Sequence, residues 1–226
     1  MHSHSSIDSV NSYSPRVVGP TCIICHWRGA AWSFVETRPG HKERLKCPSC
    51  QCYLRDRLAW QLLAIAFGSS TPVRVLEVGG TNRLGDRLRA VYDYVNADVT
   101  QEYARVDVPI DNGRLLFPDA SRDAVLLSYV LSAIPERPAR TQLLSELRRV
   151  VVEGGRLLLF DDTDFSVHGH RILRSDTYFH VRRLGRAVLK ELVETGWAYQ
   201  VVTDCAVATE LRARREIPYI IAVPRS

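Results

Sequence analysis

Two sets of residues in this chain have types and spacings that can do chemistry. The first is Cys22, Cys25, Cys47 and Cys50, a C-x-x-C pair followed, after a loop of about twenty residues, by C-P-x-C. Each C-x-x-C bends the backbone so that two thiolates face one centre. Four such sulfurs suit a structural Zn²⁺ and leave no open position for water. Disulfide pairing is the alternative, which the two-residue spacings and a reducing compartment disfavour. Cys52 stays outside the ligand set because C-x-C makes a poorer knuckle, and His26 and His41 rank below the cysteines as ligands. Cys205 falls in a strand-like run and reads as a small core residue.

The second set consists of polar residues that close apolar runs. In VRVLEVGGTNRLGDRL, residues 73–88, a β-branched run ends in Glu77, Gly79 and Gly80 before an Arg- and Leu-rich helix. A glycine turn ahead of a helix N-terminus makes the floor of a nucleotide-type pocket. Asp98 closes the next run about twenty residues on, where a doubly wound fold places a carboxylate for ribose hydroxyls. VDVPID supplies Asp107 and Val108, the run Ala124 to Val130 carries Ser128 and Tyr129, and Arg156 to Phe160 runs into Asp161. The loop after it, DDTDFSVHGH, contains His168 and His170, candidates to take a proton from a hydroxyl acceptor.

The elements that must position these residues alternate between strand and helix from Val73 onward, which predicts α/β architecture with a parallel sheet covered on both faces. Strands are expected over 73–78, 94–99, 124–130 and 156–160, with 199–207 and 218–223 closing the sheet. Helices are expected over 86–92, 140–151 and 187–193. Ahead of them, Tyr53 to Phe67 has apolar residues at Leu54, Leu58, Leu62, Ile65 and Ala66, a helical spacing. The resulting division is a mobile leader over 1–19, a four-cysteine module over 20–55, a connecting helix over 56–70 and the main domain over 71–226.

With 226 residues and 46% hydrophobic content the chain can bury a sizeable core. No apolar run approaches the roughly 18 residues of a membrane span, so a soluble cytoplasmic protein is the expectation. The net charge of +5 mildly favours anionic partners. Lys42, Lys46 and Lys190 are the only lysines, and the arginines are scattered rather than massed.

The order LEVGG, NADV, VDVPI, FPDASRDAVLLSYVLSAIPE, LLSELRRVVVEGGRLLLFDD resembles class I methyltransferases that use S-adenosylmethionine. More narrowly, CPSCQCYLRDR and FHVRRLG are similar to a bacterial group with an N-terminal zinc ribbon. The resemblance spans about residues 22 to 200. It implies a Rossmann-like, doubly wound, mostly parallel seven-stranded sheet. It places Glu77, Gly79 and Gly80 at the methionine end of the cofactor, Asp98 at the ribose, Asp107 and Val108 at the adenine, and Ser128 and Tyr129 at the sulfonium. Tyr129, Asp161, His168 and His170 are then the residues nearest the chemistry, with His180, Arg182 and Arg183 placed to bind an acidic substrate or brace a loop. The sequence departs from E-x-G-x-G-x-G, since Thr81 and Arg83 occupy two positions usually held by glycine.

The resemblance implies a methyltransferase acting on a small molecule such as a secondary metabolite, with an acidic group on that substrate as one reading of His180, Arg182 and Arg183. A nucleic-acid binder gripping phosphate through the ribbon and arginines is less favoured, because few aromatic residues accompany the basic ones. An S-adenosylmethionine-binding protein repurposed for another reaction is a further alternative.

Overall fold

The computed structural model describes residues 19–38, 41–68, 72–99, 105–111, 113–161, 171–172, 182–202 and 219–225. Two cysteine knuckles flank an antiparallel hairpin of β1 (Ser33–Arg38) and β2 (His41–Lys46). Helix α1 (Leu54–Phe67) follows at once. Its first turn is closed by the Tyr53 amide, which donates to Asp56 Oδ2 at 2.7 Å, and its end by Gly68 at φ 62°.

Strand and helix then alternate: β3 (Arg74–Val78), α2 (Asn82–Leu88), β4 (Asp93–Asp98), β5 (Val108–Asp111), β6 (Arg114–Leu115), β7 (Arg122–Ser128), α3 (Arg137–Val150) and β8 (Val151–Phe160). After the two-residue ladder of β9 (Arg171–Ile172) and β10 (Arg182–Arg183) come α4 (Ala187–Glu194), β11 (Trp197–Val202) and β12 (Tyr219–Pro224). The main sheet runs in the order β11-β12-β8-β7-β3-β4-β5-β6. Strand β12 lies antiparallel between β11 and β8, whereas the pairs from β8 to β5 are parallel. The sheet thus has eight strands where seven were expected, because the chain doubles back after β5 into the short antiparallel strand β6.

Strand alternation sorts the core into two layers. Leu76 and Val78 face α3 and α4, with Leu143, Leu144, Leu147, Val188 and Leu192 buried against them. Val75 lies on the other face with Tyr94, Leu126 and Phe160, covered by Leu58, Leu62 and Leu63 of α1 and by Leu84 and Leu88 of α2. Ile24, Trp32, Cys22, Cys47 and Cys52 belong to that same packed layer, so the cysteine module is seated on the sheet through α1. The buried side of α1 is not the stripe its sequence predicts. Ile65 is 70% exposed, and Asp56 and Arg57 are buried with Leu58 and Ala59. Helix α2 also starts four residues earlier than expected, at Asn82, because the glycine turn is only two residues long.

A buried ion pair joins the two helices of the opposite face. Arg140 on α3 donates from Nη2 to Glu191 Oε1 at 2.7 Å and from Nε to Oε2 at 3.0 Å, with both side chains 2% exposed. Its Nη1 donates to the carbonyls of Ile134 and Pro135, each at 3.0 Å, and so satisfies the chain that leads into α3. Removing one partner leaves a buried charge uncompensated, which costs about 3–5 kcal/mol, whereas replacing both with apolar residues is far less harmful. Urea denaturation should therefore show Arg140→Met losing stability of that size, and Arg140→Met with Glu191→Leu recovering much of it.

Candidate functional site

Strands β3 and β7 are neighbours, yet the chain continues from β3 to β4 on one side and from β7 to β8 on the other. In open α/β sheets ligands bind at the carboxyl ends of strands at such a switch point. Here those ends are Glu77, Gly79 and Gly80 on one side and Ser128 and Tyr129 on the other.

The turn after β3 admits no side chain. Gly79 has φ 73°, and a Cβ on it would stand 2.5 Å from Val130 Cγ2. A Cβ on Gly80 would stand 2.6 Å from Asn96 Oδ1 and 2.7 Å from Glu77 Oε2, and the Gly80 amide donates to that same Asn96 oxygen at 3.1 Å. The two non-glycine residues that follow are built in. Thr81 precedes the first turn of α2, and Asn82 Oδ1 accepts the Arg105 amide at 2.7 Å. The Thr81 hydroxyl is buried and, among the described residues, has no hydrogen-bond partner, an orphaned polar atom beside the turn.

Beneath the turn lies a polar network. Glu77, 2% exposed, accepts a 2.5 Å hydrogen bond from the Tyr94 hydroxyl. Burial pushes its carboxyl up to about 7 despite that hydrogen bond, and the Tyr94 phenol is likewise raised by burial and by the nearby Glu77. Asp107 accepts the Asn96 amide at 2.9 Å and pairs with Arg89 at 2.5 Å and Arg105 at 3.2 Å. These hydrogen bonds and cations outweigh its partial burial and hold its carboxyl below the usual range. Asp107 thus braces β4 from the side, and Val108 begins the adjoining strand. Asp98, half-buried at the carboxyl end of β4, accepts the Val99 amide at 2.6 Å. Tyr94 and Asn96 did not stand out in the sequence. The signal available was period two: Tyr94, Asn96 and Asp98 share one face of β4, and Asn96 lies in register with Glu77.

Ser128 ends β7, and Tyr129 follows at φ 59°, a conformation that costs a bulky residue about 1–3 kcal/mol and concentrates at functional sites. Its amide donates to the Phe160 carbonyl at 2.7 Å. The Arg55 guanidinium lies 4.9 Å from its ring centre. Asp161, only 1% exposed, accepts the Ser132 amide at 3.2 Å and so positions the short turn after β7. His168, His170 and His180 lie outside the described residues, as do Cys205 and the side chains of His41, Arg182 and Arg183.

The sulfurs of Cys22, Cys25, Cys47 and Cys50 lie within 4.8 Å of one another, with Cys22 and Cys50 at 3.7 Å and Cys25 and Cys47 at 3.6 Å. A tetrahedron of sulfurs about 2.3 Å from Zn²⁺ has edges of about 3.8 Å, so the set fits that ion, and all four are free thiols. The two knuckles repeat one backbone pattern. The Cys22 amide donates to the Trp27 carbonyl and the Cys47 amide to the Cys52 carbonyl, while His26 and Gln51 close each turn at φ 58° and 65°. Cys52 therefore corresponds to Trp27 and lies outside the four-sulfur cluster. Its buried thiol, pushed up to about 12 by desolvation, lies 3.9 Å from the Arg83 carbonyl. Burial likewise raises Cys22 and Cys50 to about 12; at Cys25 burial is outweighed by the Trp27 amide and neighbouring thiols, which leave it at about 7.

The strand order, the switch point and its glycine turn define a Rossmann-like α/β fold of the methyltransferase type. Residues 76–159 match the family described as a methyltransferase domain. The chain is 24% identical over 208 residues, 90% of this chain and 80% of the other, to a demethylmenaquinone methyltransferase of Lysinibacillus sphaericus strain C3-41. In structure it is similar to the glycopeptide N-methyltransferase MtfA complexed with sinefungin, at TM-score 0.57 and 16% identity, covering 81% of this chain and all of that one. It is also similar to the [4+2]-cyclase SpnF, at TM-score 0.53 and 16% identity, covering 87% of this chain and 88% of that one. This chain is an enzyme, an S-adenosylmethionine-dependent methyltransferase. Among the described residues no helix is long and apolar enough to cross a membrane.

Two measurements check this geometry. A carboxyl raised in the folded state binds its proton more tightly than the unfolded chain does, so its share of stability is present below pH 4.5 and is lost as pH rises towards 7. Glu77→Gln should flatten that part of the stability profile, read as Tm against pH. Gly80→Ala should lower Tm and weaken cofactor binding together, because the added methyl must displace Asn96 or Glu77.

Proposed function

We propose that the chain methylates a small-molecule acceptor at the β3/β7 switch point and that the four-cysteine centre holds a structural Zn²⁺. The observation that carries the first part is the coincidence, at one end of the sheet, of a turn open only to glycine, the orphaned Thr81 hydroxyl and the half-buried carboxylate of Asp98. The name of the curated relative, a methyltransferase of demethylmenaquinone, supports a small acceptor.

S-adenosylmethionine supplies an electrophilic methyl group on a sulfonium. Gly79 and Gly80 would let its methionyl end approach the backbone, Asp98 would accept from its ribose hydroxyls, and Val108 would border its adenine. Glu77 and Asp107 act from below: Glu77 holds Tyr94, and Asp107 holds Asn96, whose oxygen fixes the Gly80 amide. Ser128 and Tyr129 face the acceptor. In-line displacement depends chiefly on alignment, which the strained and doubly anchored Tyr129 is built to supply. Where the acceptor is a hydroxyl, His168 or His170 takes its proton.

Calorimetry with S-adenosylhomocysteine should give one site per chain, and Asp98→Asn should bind about tenfold or more weakly, the cost of one charge-assisted hydrogen bond. No binding to the metal-loaded protein overturns the proposal. With acceptor present, mass spectrometry should find S-adenosylhomocysteine as the product; methylthioadenosine would instead indicate a different carbon–sulfur cleavage.

The metal proposal predicts one zinc per chain, and loss of both zinc and cooperative unfolding in Cys47→Ser. Full stability in the zinc-free wild type would refute it.

A further inference from the structure

Where the cysteine module meets the cofactor turn, three cations gather on one aromatic ring. The guanidinium carbons of Arg83 and Arg55 lie 5.2 and 5.6 Å from the centre of the Tyr53 ring, and Lys46 Nζ lies 5.9 Å from it. Arg55 also reaches the Tyr129 ring, at 4.9 Å, so it spans from the module to the carboxyl end of β7. The three come from separate elements: Lys46 from the end of β2, Arg55 from the first turn of α1, and Arg83 from the first turn of α2. The fold holds them together against their mutual repulsion.

Their counter-charge is meagre. Arg55 Nε lies 3.5 Å from Asp56 Oδ1, but that carboxylate, 4% exposed, is already committed to the Tyr53 amide at the start of α1. Arg83 acts on that same Asp56 carboxylate from a distance, and among the described residues neither Arg83 nor Lys46 forms a close ion pair with a carboxylate. The side chains are also reachable, with Arg83 exposed and Lys46 and Arg55 half-buried. A cluster of excess positive charge with an aromatic floor, beside a cofactor pocket, attracts an oxyanion.

We propose that Lys46, Arg55 and Arg83, gathered on Tyr53, form an anion-binding subsite for the acidic group, carboxylate or phosphate, of the methyl acceptor. This rests on the reading of the β3/β7 switch point as the methyl-transfer site. It gives the module a second task, since Lys46 directly precedes its second knuckle and Arg55 follows it. The guanidinium of Arg55 suits a bidentate oxyanion, and its contact with Tyr129 ties occupancy of the subsite to the residue that faces the acceptor. All three cations lie within about 6 Å of a single ring, the reach of one cation–π contact, so the cluster matches one anionic group rather than an extended polyanion.

The test uses the full-length, metal-loaded protein and inorganic pyrophosphate as probe, with binding read by calorimetry at two salt concentrations. The wild type should bind pyrophosphate, more weakly at the higher salt, whether or not S-adenosylhomocysteine is present. Arg55→Gln and Arg83→Gln should each weaken it about tenfold, the loss expected for one charge-assisted contact. Arg55→Lys should retain part of the affinity, which separates charge from packing, and Lys190→Gln, on α4, should leave it unchanged. Affinity for S-adenosylhomocysteine should be the same in all these variants. Equal pyrophosphate binding in wild type and Arg55→Gln/Arg83→Gln overturns the subsite, as does no binding by the wild type. A parallel loss of S-adenosylhomocysteine affinity assigns the cluster to the cofactor's carboxylate and overturns the acceptor assignment. Tight, salt-sensitive retention of single-stranded RNA that these variants abolish overturns it in favour of a nucleic-acid surface. If S-adenosylhomocysteine binds no variant and not the wild type, the methyl-transfer reading fails by itself while the pyrophosphate result still stands or falls separately.

Discussion

The close approach at Gly80 is the constraint on which the site depends. Its amide reaches Asn96 across the sheet, and Glu77 packs against the same Cα, so there is no volume for even one methyl group. That fixes the path of the chain out of β3 and therefore the starting point of α2. It also explains why the site tolerates Thr81 and Arg83 where related patterns carry glycine. The tight positions are Gly79 and Gly80, whereas the following residues already belong to the helix and its first turn.

The polar network beneath this turn is worth its burial cost only because nearly every member is matched. Glu77 takes the Tyr94 hydroxyl, Asn96 bridges Gly80 and Asp107, and Asp107 is braced by two arginines. The orphaned Thr81 hydroxyl is the exception, and it lies at the turn where a ligand would complete it. Strain tells the same story on the facing strand, where Tyr129 is held in a left-handed conformation by the Phe160 carbonyl and the Arg55 guanidinium.

The cysteine module belongs to this design rather than hanging from it. Its knuckles share a packed layer with the sheet, and its second knuckle touches the glycine-turn helix through the Cys52 thiol and the Arg83 carbonyl. The site accordingly has a wall whose geometry depends on the four-cysteine centre, a physical route by which a remote structural group can influence catalysis.

Much of this was legible in the chain itself. Apolar runs ending in Glu77, Asp98 and Ser128, spaced by helical segments, specify parallel strands whose polar ends meet, because strands and crossover helices have fixed periods and one handedness. Two C-x-x-C pairs likewise specify knuckles through local backbone geometry alone, and the four sulfurs do converge. What the sequence could not decide were matters of register and docking. Asn96 acquires its role only by lying opposite Glu77, Asp107 by meeting Arg89, and Arg55 by the seating of α1 over β7. Those pairings depend on distances between residues far apart in the chain, which no local period records, and so only the tertiary structure could make them.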